Sequence, residues 1–163
     1  MATVRGLVLG LDEAHARAEE HRRRGDRVVL TNGHFDLLHA GHVLYLEQAR
    51  GLGDVLFVGL NSDASSSALK GPKRPLVPAA ERALVLTCLR SVDYVVVFDG
   101  PTADSLIDAI RPHYYAKGSD YSLATLPEAE MARRTGAEVR LIPLTPGCST
   151  TDLIERIVER YCR

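Results

Sequence analysis

The chain has 163 residues, 45% of them hydrophobic and 25% charged, with a formal net charge of -1. That size and balance fit one globular domain and exclude a disordered chain. A near-neutral total gives no electrostatic basis for a nucleic-acid or anionic-membrane partner, so any positive charge that matters has to be local.

No apolar run approaches the ~20 residues that a transmembrane helix needs. The opening stretch, Met1 to Gly10, lacks an extended apolar region ending in a small-residue cleavage site, so a cytoplasmic protein is expected. Cys88, Cys148 and Cys162 are widely spaced and form no C-x-x-C pair, which argues against a disulfide framework or a structural zinc site. Cys88 lies in an apolar run and is expected to be a small core residue.

In chain order, residues 11–24 (LDEAHARAEEHRRR) are good helix formers with acids early and arginines late, and Gly25 supplies a stop. Arg27 to Leu30 reads as a buried strand running into the breaker Asn32-Gly33. A helix is predicted from Ala40 to Arg50, with Val43, Leu44, Leu46 and Ala49 as its apolar face. Asp54 to Leu60 (DVLFVGL) is nearly all apolar, as in a parallel strand covered on both faces. Residues 61–78 hold three serines in a row, three prolines and three basic residues, and read as a mobile loop beside a site. A helix at 79–90, a strand at 94–98, a helix at 102–110, a strand at 114–117, a helix at 126–135, a strand at 138–144 and a helix at 150–161 complete the series. Strict alternation implies a parallel sheet with right-handed crossovers. The expected fold is an α/β Rossmann-like three-layer sandwich with a five-stranded parallel sheet, preceded over residues 1–25 by a helical extension.

In such sheets ligands bind beyond the carboxyl ends of the strands. The stretch Thr31 to His42 (TNGHFDLLHAGH) falls there and opens a helix. Gly41 permits close approach of a phosphate, the helix start offers unpaired N–H donors, and His39 and His42 share one side of the first turn. The arrangement suits a triphosphate, because imidazoles can donate to oxygens on which charge develops during displacement. Lys70, Lys73 and Arg74, with Arg82 at the next helix start, form a basic group able to close over phosphates. Lys73 is the first choice for a catalytic lysine and Lys70 the second. Gly147 to Thr151 leads into the last helix with hydroxyls and amides that either cap it or hold phosphate oxygens.

The string GHFDLLHAGH resembles the signature G-x-F-D-x-x-H-x-G-H of the cytidylyltransferase-like nucleotidyltransferases. The likeness continues in order through GLNSDAS, KGPKRP, ERALVL, VDYVVVF, IRPHYYAKGSDY, GAEVRLIPL and STTDLIERI, leaving out only the leading residues. It is most similar to the adenylyltransferase domain of the heptose kinase/adenylyltransferase enzymes. The resemblance implies transfer of a nucleoside monophosphate, most simply from ATP, to a phosphorylated sugar such as heptose 1-phosphate, with release of pyrophosphate. It places His39 and His42 on the triphosphate. Thr31, Asn32, Gly33, Phe35, Gly41, Asp120, Ser149, Thr150 and Thr151 then fall around the nucleotide, and Lys117 on the acceptor's phosphate. Asp36 is left between two roles, holding its loop or helping to position phosphate and metal. Magnesium is expected to enter with the triphosphate, its protein ligands unnamed. A homodimer is implied too, with Arg90 to Asp93 as a candidate contact. Ser119 and Cys148 depart from the heptose pattern, as does His34. They keep open CTP as donor and another phosphate or phosphonate as acceptor, and beyond that a binding module without turnover.

Overall fold

The computed structural model describes residues 6–122 and 124–162. Six strands form one parallel sheet: β1 (Leu7–Leu9), β2 (Val28–Gly33), β3 (Val55–Asn61), β4 (Tyr94–Phe98), β5 (Tyr114–Gly118) and β6 (Glu138–Ile142). Their spatial order is β1-β4-β3-β2-β5-β6. The helices are α1 (Leu11–Arg24), α2 (Ala40–Arg50), α3 (Asp63–Lys70), α4 (Ala79–Thr87), α5 (Asp104–Ile110), α6 (Ala129–Thr135) and α7 (Thr150–Tyr161).

Strand alternation splits the core in two. Val28, Leu30, Val55, Phe57, Val96 and Phe98 face one way, onto α1, α5 and α6. Val29, Leu56, Val58, Leu60 and Val95 face the other, onto α2 and α4. The central strands are covered on both faces and so read as unbroken apolar runs. A large side chain fully buried in such a core contributes about 1.5–3 kcal/mol. No helix of the described residues is long and apolar enough to cross a membrane.

Several expectations need correction. The sheet has six strands, not five: β1 is only three residues long and pairs with β4 at the sheet's edge, too short to show a period. Helix α1 packs on α5, as part of the same sandwich. The expected loop at 61–78 contains α3. Its serines are poor helix formers, but Ser62 caps the helix by accepting from the Ser65 amide at 3.1 Å. Ser65 and Ser66 are buried as cross-links, the Ser65 hydroxyl donating to Gly100 O at 2.7 Å. Cys88 is exposed, not core. On α2 only Leu46 and Ala49 are buried, whereas Val43 and Leu44 are exposed. Arg90 to Asp93 is mostly turned inward, with Ser91 and Val92 buried and the Asp93 carboxylate accepting from the Leu56 amide at 2.8 Å.

Candidate active site

Strand order reverses between β2 and β5: β2, β3 and β4 run one way across the sheet, β5 and β6 the other. Loops diverge at such a switch point and leave a crevice. A cleft of about 580 Å³ opens there, within the usual range for small-molecule sites.

Beyond the end of β2, Phe35 takes a left-handed backbone conformation with φ of 44°. Its ring lies over Gly33, where a Cβ would come within 3.0 Å of it, and it also packs on His42 with ring centroids 5.3 Å apart. The next residue holds this turn from behind. The Asp36 carboxylate accepts from the Leu76 amide at 2.8 Å, the Val77 amide at 2.9 Å and Arg74 Nε at 2.5 Å. Burial alone would raise its pKa, but those amides and the guanidinium outweigh it and keep the group below the ordinary carboxylate range.

Arg82, expected among exposed phosphate-binding cations, has a fully buried side chain. It donates to Val77 O at 2.8 Å, His34 O at 2.5 Å, Asn61 O at 3.0 Å and Asp63 Oδ1 at 2.7 Å. It is a strut joining the signature turn, the end of β3 and the start of α3. Asp36 and Arg74 likewise bind each other, so of the two roles left open for Asp36 this geometry fits the one that holds its loop, and neither side chain is among the cleft's lining. Thr31 is fully buried, its hydroxyl 2.7 Å from the Tyr45 hydroxyl, and it too lies behind the wall.

In front of this scaffold stand the two histidines. His39 is the N-cap residue of α2 and His42 lies in its first turn, so the rings stack with centroids 3.9 Å apart and planes inclined by 21°. Both Nδ1 atoms are buried, that of His39 without a hydrogen-bond partner, while the His42 ring reaches the Leu37 backbone. Burial, reinforced by the neighbouring His39 and opposed by the hydrogen bond to the Leu37 backbone, pushes the His42 pKa down to about 4. Burial also lowers His39, with Asp152 opposing it. At neutral pH both rings are therefore uncharged, each with one donor and one acceptor nitrogen. Gly41 lies between them, and a Cβ there would come within 2.8 Å of Cys148 Cβ and 3.0 Å of His39 Nδ1. Its missing side chain lets the turn before α7 close onto the start of α2.

The remaining walls carry charge and hydroxyls. Lys117 on β5 is 8% exposed, with Nζ 3.2 Å from Asn32 Oδ1 and 4.8 Å from the centre of the Tyr121 ring. Burial lowers its pKa, offset in part by Glu128 and Asp120. Ser149 caps α7 by accepting the Asp152 amide at 3.0 Å, and Thr150 donates to Leu37 O at 3.5 Å. Both still line the cleft, as do Asn32, Gly33, Phe35, Gly41, Lys70 and Asp120. Lys73 and Thr151 are exposed and stand outside the lining, whereas Lys70, like Lys117, belongs to it.

His34 reports the local field. Its Nδ1 is 2.9 Å from the Ser66 hydroxyl, and burial together with Lys70, Arg82, Arg74 and Lys117 pushes its pKa down to about 4. A chain of net charge -1 thus gathers positive potential at one place. Among the lining residues that the sequence reading did not single out are Tyr45, Asn61 and Glu128. Asn61 carried a signal as the first residue after the predicted strand, at the sheet's carboxyl edge. Glu128 carried none, since an acid near a helix start is usually a surface residue.

Neutral imidazoles, helix-start amides and ammonium groups have phosphate oxygens as their common ligand, and a parallel sheet that presents them at its switch point is that of a nucleotidyltransferase. The chain belongs to the cytidylyltransferase-like family, whose model matches residues 30–156. It is 54% identical over 143 residues to the bifunctional protein HldE of Syntrophotalea carbinolica, an alignment covering 88% of this chain and 29% of that protein. The chain thus spans about three-tenths of the length of the curated relatives it matches. Among solved structures it is similar to a lipopolysaccharide core biosynthesis protein from Thermoplasma volcanium. The TM-score is 0.60 at 26% identity, over 74% of this chain and 98% of that one. Pantoate-beta-alanine ligase from Francisella tularensis shares the fold at 12% identity and a TM-score of 0.63, over 94% of this chain and 78% of the ligase.

Proposed function

We propose that this domain transfers the adenylyl group of ATP to a sugar 1-phosphate such as heptose 1-phosphate and releases pyrophosphate, acting in the cytoplasm. The observation that carries the reading is the stacked pair His39 and His42, uncharged and largely withdrawn from water, at the start of α2. Identity of about one half to HldE proteins, and the lipopolysaccharide-core description of the Thermoplasma volcanium protein, support a sugar phosphate over the CTP-dependent phosphonate alternative.

In this reading an acceptor phosphate oxygen attacks the α-phosphorus in line, the bond to the pyrophosphate oxygen breaks, and no covalent enzyme intermediate forms. That oxygen is already ionised at neutral pH, so no general base is needed. His39 and His42 donate to oxygens whose charge grows in the transition state, an interaction worth a factor of about 10²–10³ per donor. Lys70 meets the leaving pyrophosphate and Lys117 the acceptor's phosphate. Asp120, Ser149 and Thr150 border the nucleotide. Magnesium is part of the proposal, since it offsets triphosphate charge and usually draws few ligands from protein. Among the described residues no three His, Cys, Asp or Glu side chains are placed to hold such an ion. Assembly as a homodimer would use the exposed apolar residues Val43, Leu44, Leu84 and Val85 of α2 and α4.

The test is pyrophosphate release with each of the four nucleoside triphosphates against a panel of sugar phosphates, phosphocholine, glycerol phosphate and phosphonates. ATP with heptose 1-phosphate is expected to turn over fastest. Nucleotide binding with no product from any pair would make the domain a binding module.

A further inference from the structure

Asn32 lines the cleft, but part of what fixes its carboxamide lies beneath the cleft floor. In the ladder between β2 and β5, Leu30 pairs with Tyr115 and Thr31 with Ala116. Asn32 and Lys117 therefore emerge side by side past the last pair, on the face of the sheet that holds Tyr115. There Asn32 Oδ1 accepts from the Tyr115 hydroxyl at 2.6 Å and from Lys117 Nζ at 3.2 Å. An ammonium group only donates, so the amide atom that faces it has to be the oxygen, and the two donors use both lone pairs of that oxygen. The Nδ2 end of the amide, with its two N–H groups, is then the end left for a ligand.

The two anchors differ in kind. Lys117 lines the cleft with a charged, flexible side chain, and any anion that enters draws it away from Asn32. Tyr115 is fully buried in the core beside Leu106 and cannot follow. Its hydroxyl is also hydrogen-bonded to the Glu128 side chain, and burial together with that carboxylate pushes its pKa up, so the phenol keeps its proton. Two oxygens 2.6 Å apart with no proton between them would repel, so the proton lies toward Asn32. On the other side a Cβ on Gly59 would come within 3.0 Å of Asn32 Cβ, and its absence gives the asparagine its place. Without the phenol, departure of Lys117 would let the amide turn over and set its oxygen against the oxygens of the ligand.

We propose that Tyr115 is a positioning residue for ligand binding: it locks the Asn32 carboxamide with Nδ2 toward the cleft, where that group donates to a phosphate oxygen of ATP or of the sugar phosphate. For the choice of these ligands the proposal rests on the nucleotidyl-transfer reading. Tyr115 touches no ligand itself. It acts by keeping a donor, and not an acceptor, in front of an anion.

A double-mutant cycle on the full chain, made of Tyr115→Phe, Asn32→Ala and the two together, provides the test. Calorimetric titration with ATP and magnesium, and separately with heptose 1-phosphate, reads binding and tells the two phosphates apart; pyrophosphate release reads turnover. Tyr115→Phe is expected to weaken one of these ligands about tenfold, the scale of a hydrogen bond to a charged group, and the other less than about twofold. Asn32→Ala should weaken the same ligand at least as much. The double variant should match Asn32→Ala to within about twofold, since the phenol has nothing to hold once the amide is gone. Asn32→Asp keeps the accepting oxygen and loses the donor, and should bind that ligand no better than Asn32→Ala. A purely structural tyrosine gives losses that multiply in the double variant, or weakens both ligands in step with a fallen melting temperature, and either result overturns the proposal. Wild-type affinity in Tyr115→Phe or Asn32→Asp, or no binding of either ligand by the wild type, overturns it as well. Selective, coupled weakening in a wild type that releases no pyrophosphate would keep Tyr115 in its role and remove the transferase reading alone.

Discussion

Behind the signature turn and in front of it, the same kinds of side chain are treated in opposite ways. Behind it, Asp36, Arg74, Arg82 and Asp63 form a lattice in which each buried charge meets a partner. In front, His39 keeps a buried ring nitrogen without a protein partner. Buried polar groups are nearly always paired, so an unpaired one calls for an explanation. The contrast teaches which residues build the site and which serve it: the lattice spends its hydrogen bonds on the protein, and the cleft reserves them.

The comparison breaks most visibly at Arg82. Replacing it with Met leaves the carbonyls of His34, Asn61 and Val77 without their donor, and is expected to lower unfolding free energy by about 3–5 kcal/mol in urea titration. A change under 1 kcal/mol would mean that the strut is ornamental. His42→Ala should do the reverse, cutting turnover about a hundredfold or more while leaving the melting temperature within a few degrees. Near-normal turnover would remove the histidine from the mechanism, and unfolding would move it to the scaffold.

Acid separates the regions as well. His34 and His42 have pKa values near 4 in the fold against an ordinary 6.5, so below 6.5 the unfolded chain takes up protons that the folded one refuses. Their contribution is complete above pH 6.5 and is lost as pH falls toward 4. Denaturation at pH 7.5 and 5 should differ by about 2 kcal/mol after allowance for partial solvation, and the difference should shrink in His34→Asn. The smallest effect sharpens the contrast within one segment. Lys70→Ala should lower kcat/KM about tenfold, the size of one lost charge contact, whereas Lys73→Ala stays within twofold. Equal effects would mean that the segment closes further over the ligand than its present position suggests.

Where chemistry follows from local spacing, the chain declared itself. The two histidines, Gly41 and the helix they open are fixed by a few consecutive residues, and the central strands by unbroken apolar runs. Arg74 and Arg82 were grouped with the phosphate-facing cations, and Asp36 was left between two roles, because charge alone does not say which way a side chain turns. Asp36 meets Arg74 across 38 positions and Arg82 meets the His34 carbonyl across 48, contacts that exist only in the folded state. Helix α3 was hidden by serines whose hydroxyls compete with helix formation in isolation but here bond to Gly100 and His34. Strand β1 was hidden by its brevity, and Glu128 by looking like any acid at a helix start.

The contact at Gly41 has a mechanical consequence. No rotatable chain separates the first turn of α2 from the residue before Ser149, so the gap between those two rows of amides cannot drift as side chains hop between rotamers. One jaw of the cleft is a caliper of fixed aperture. Accommodation of cargoes of different girth falls to the other walls, Lys70 among them.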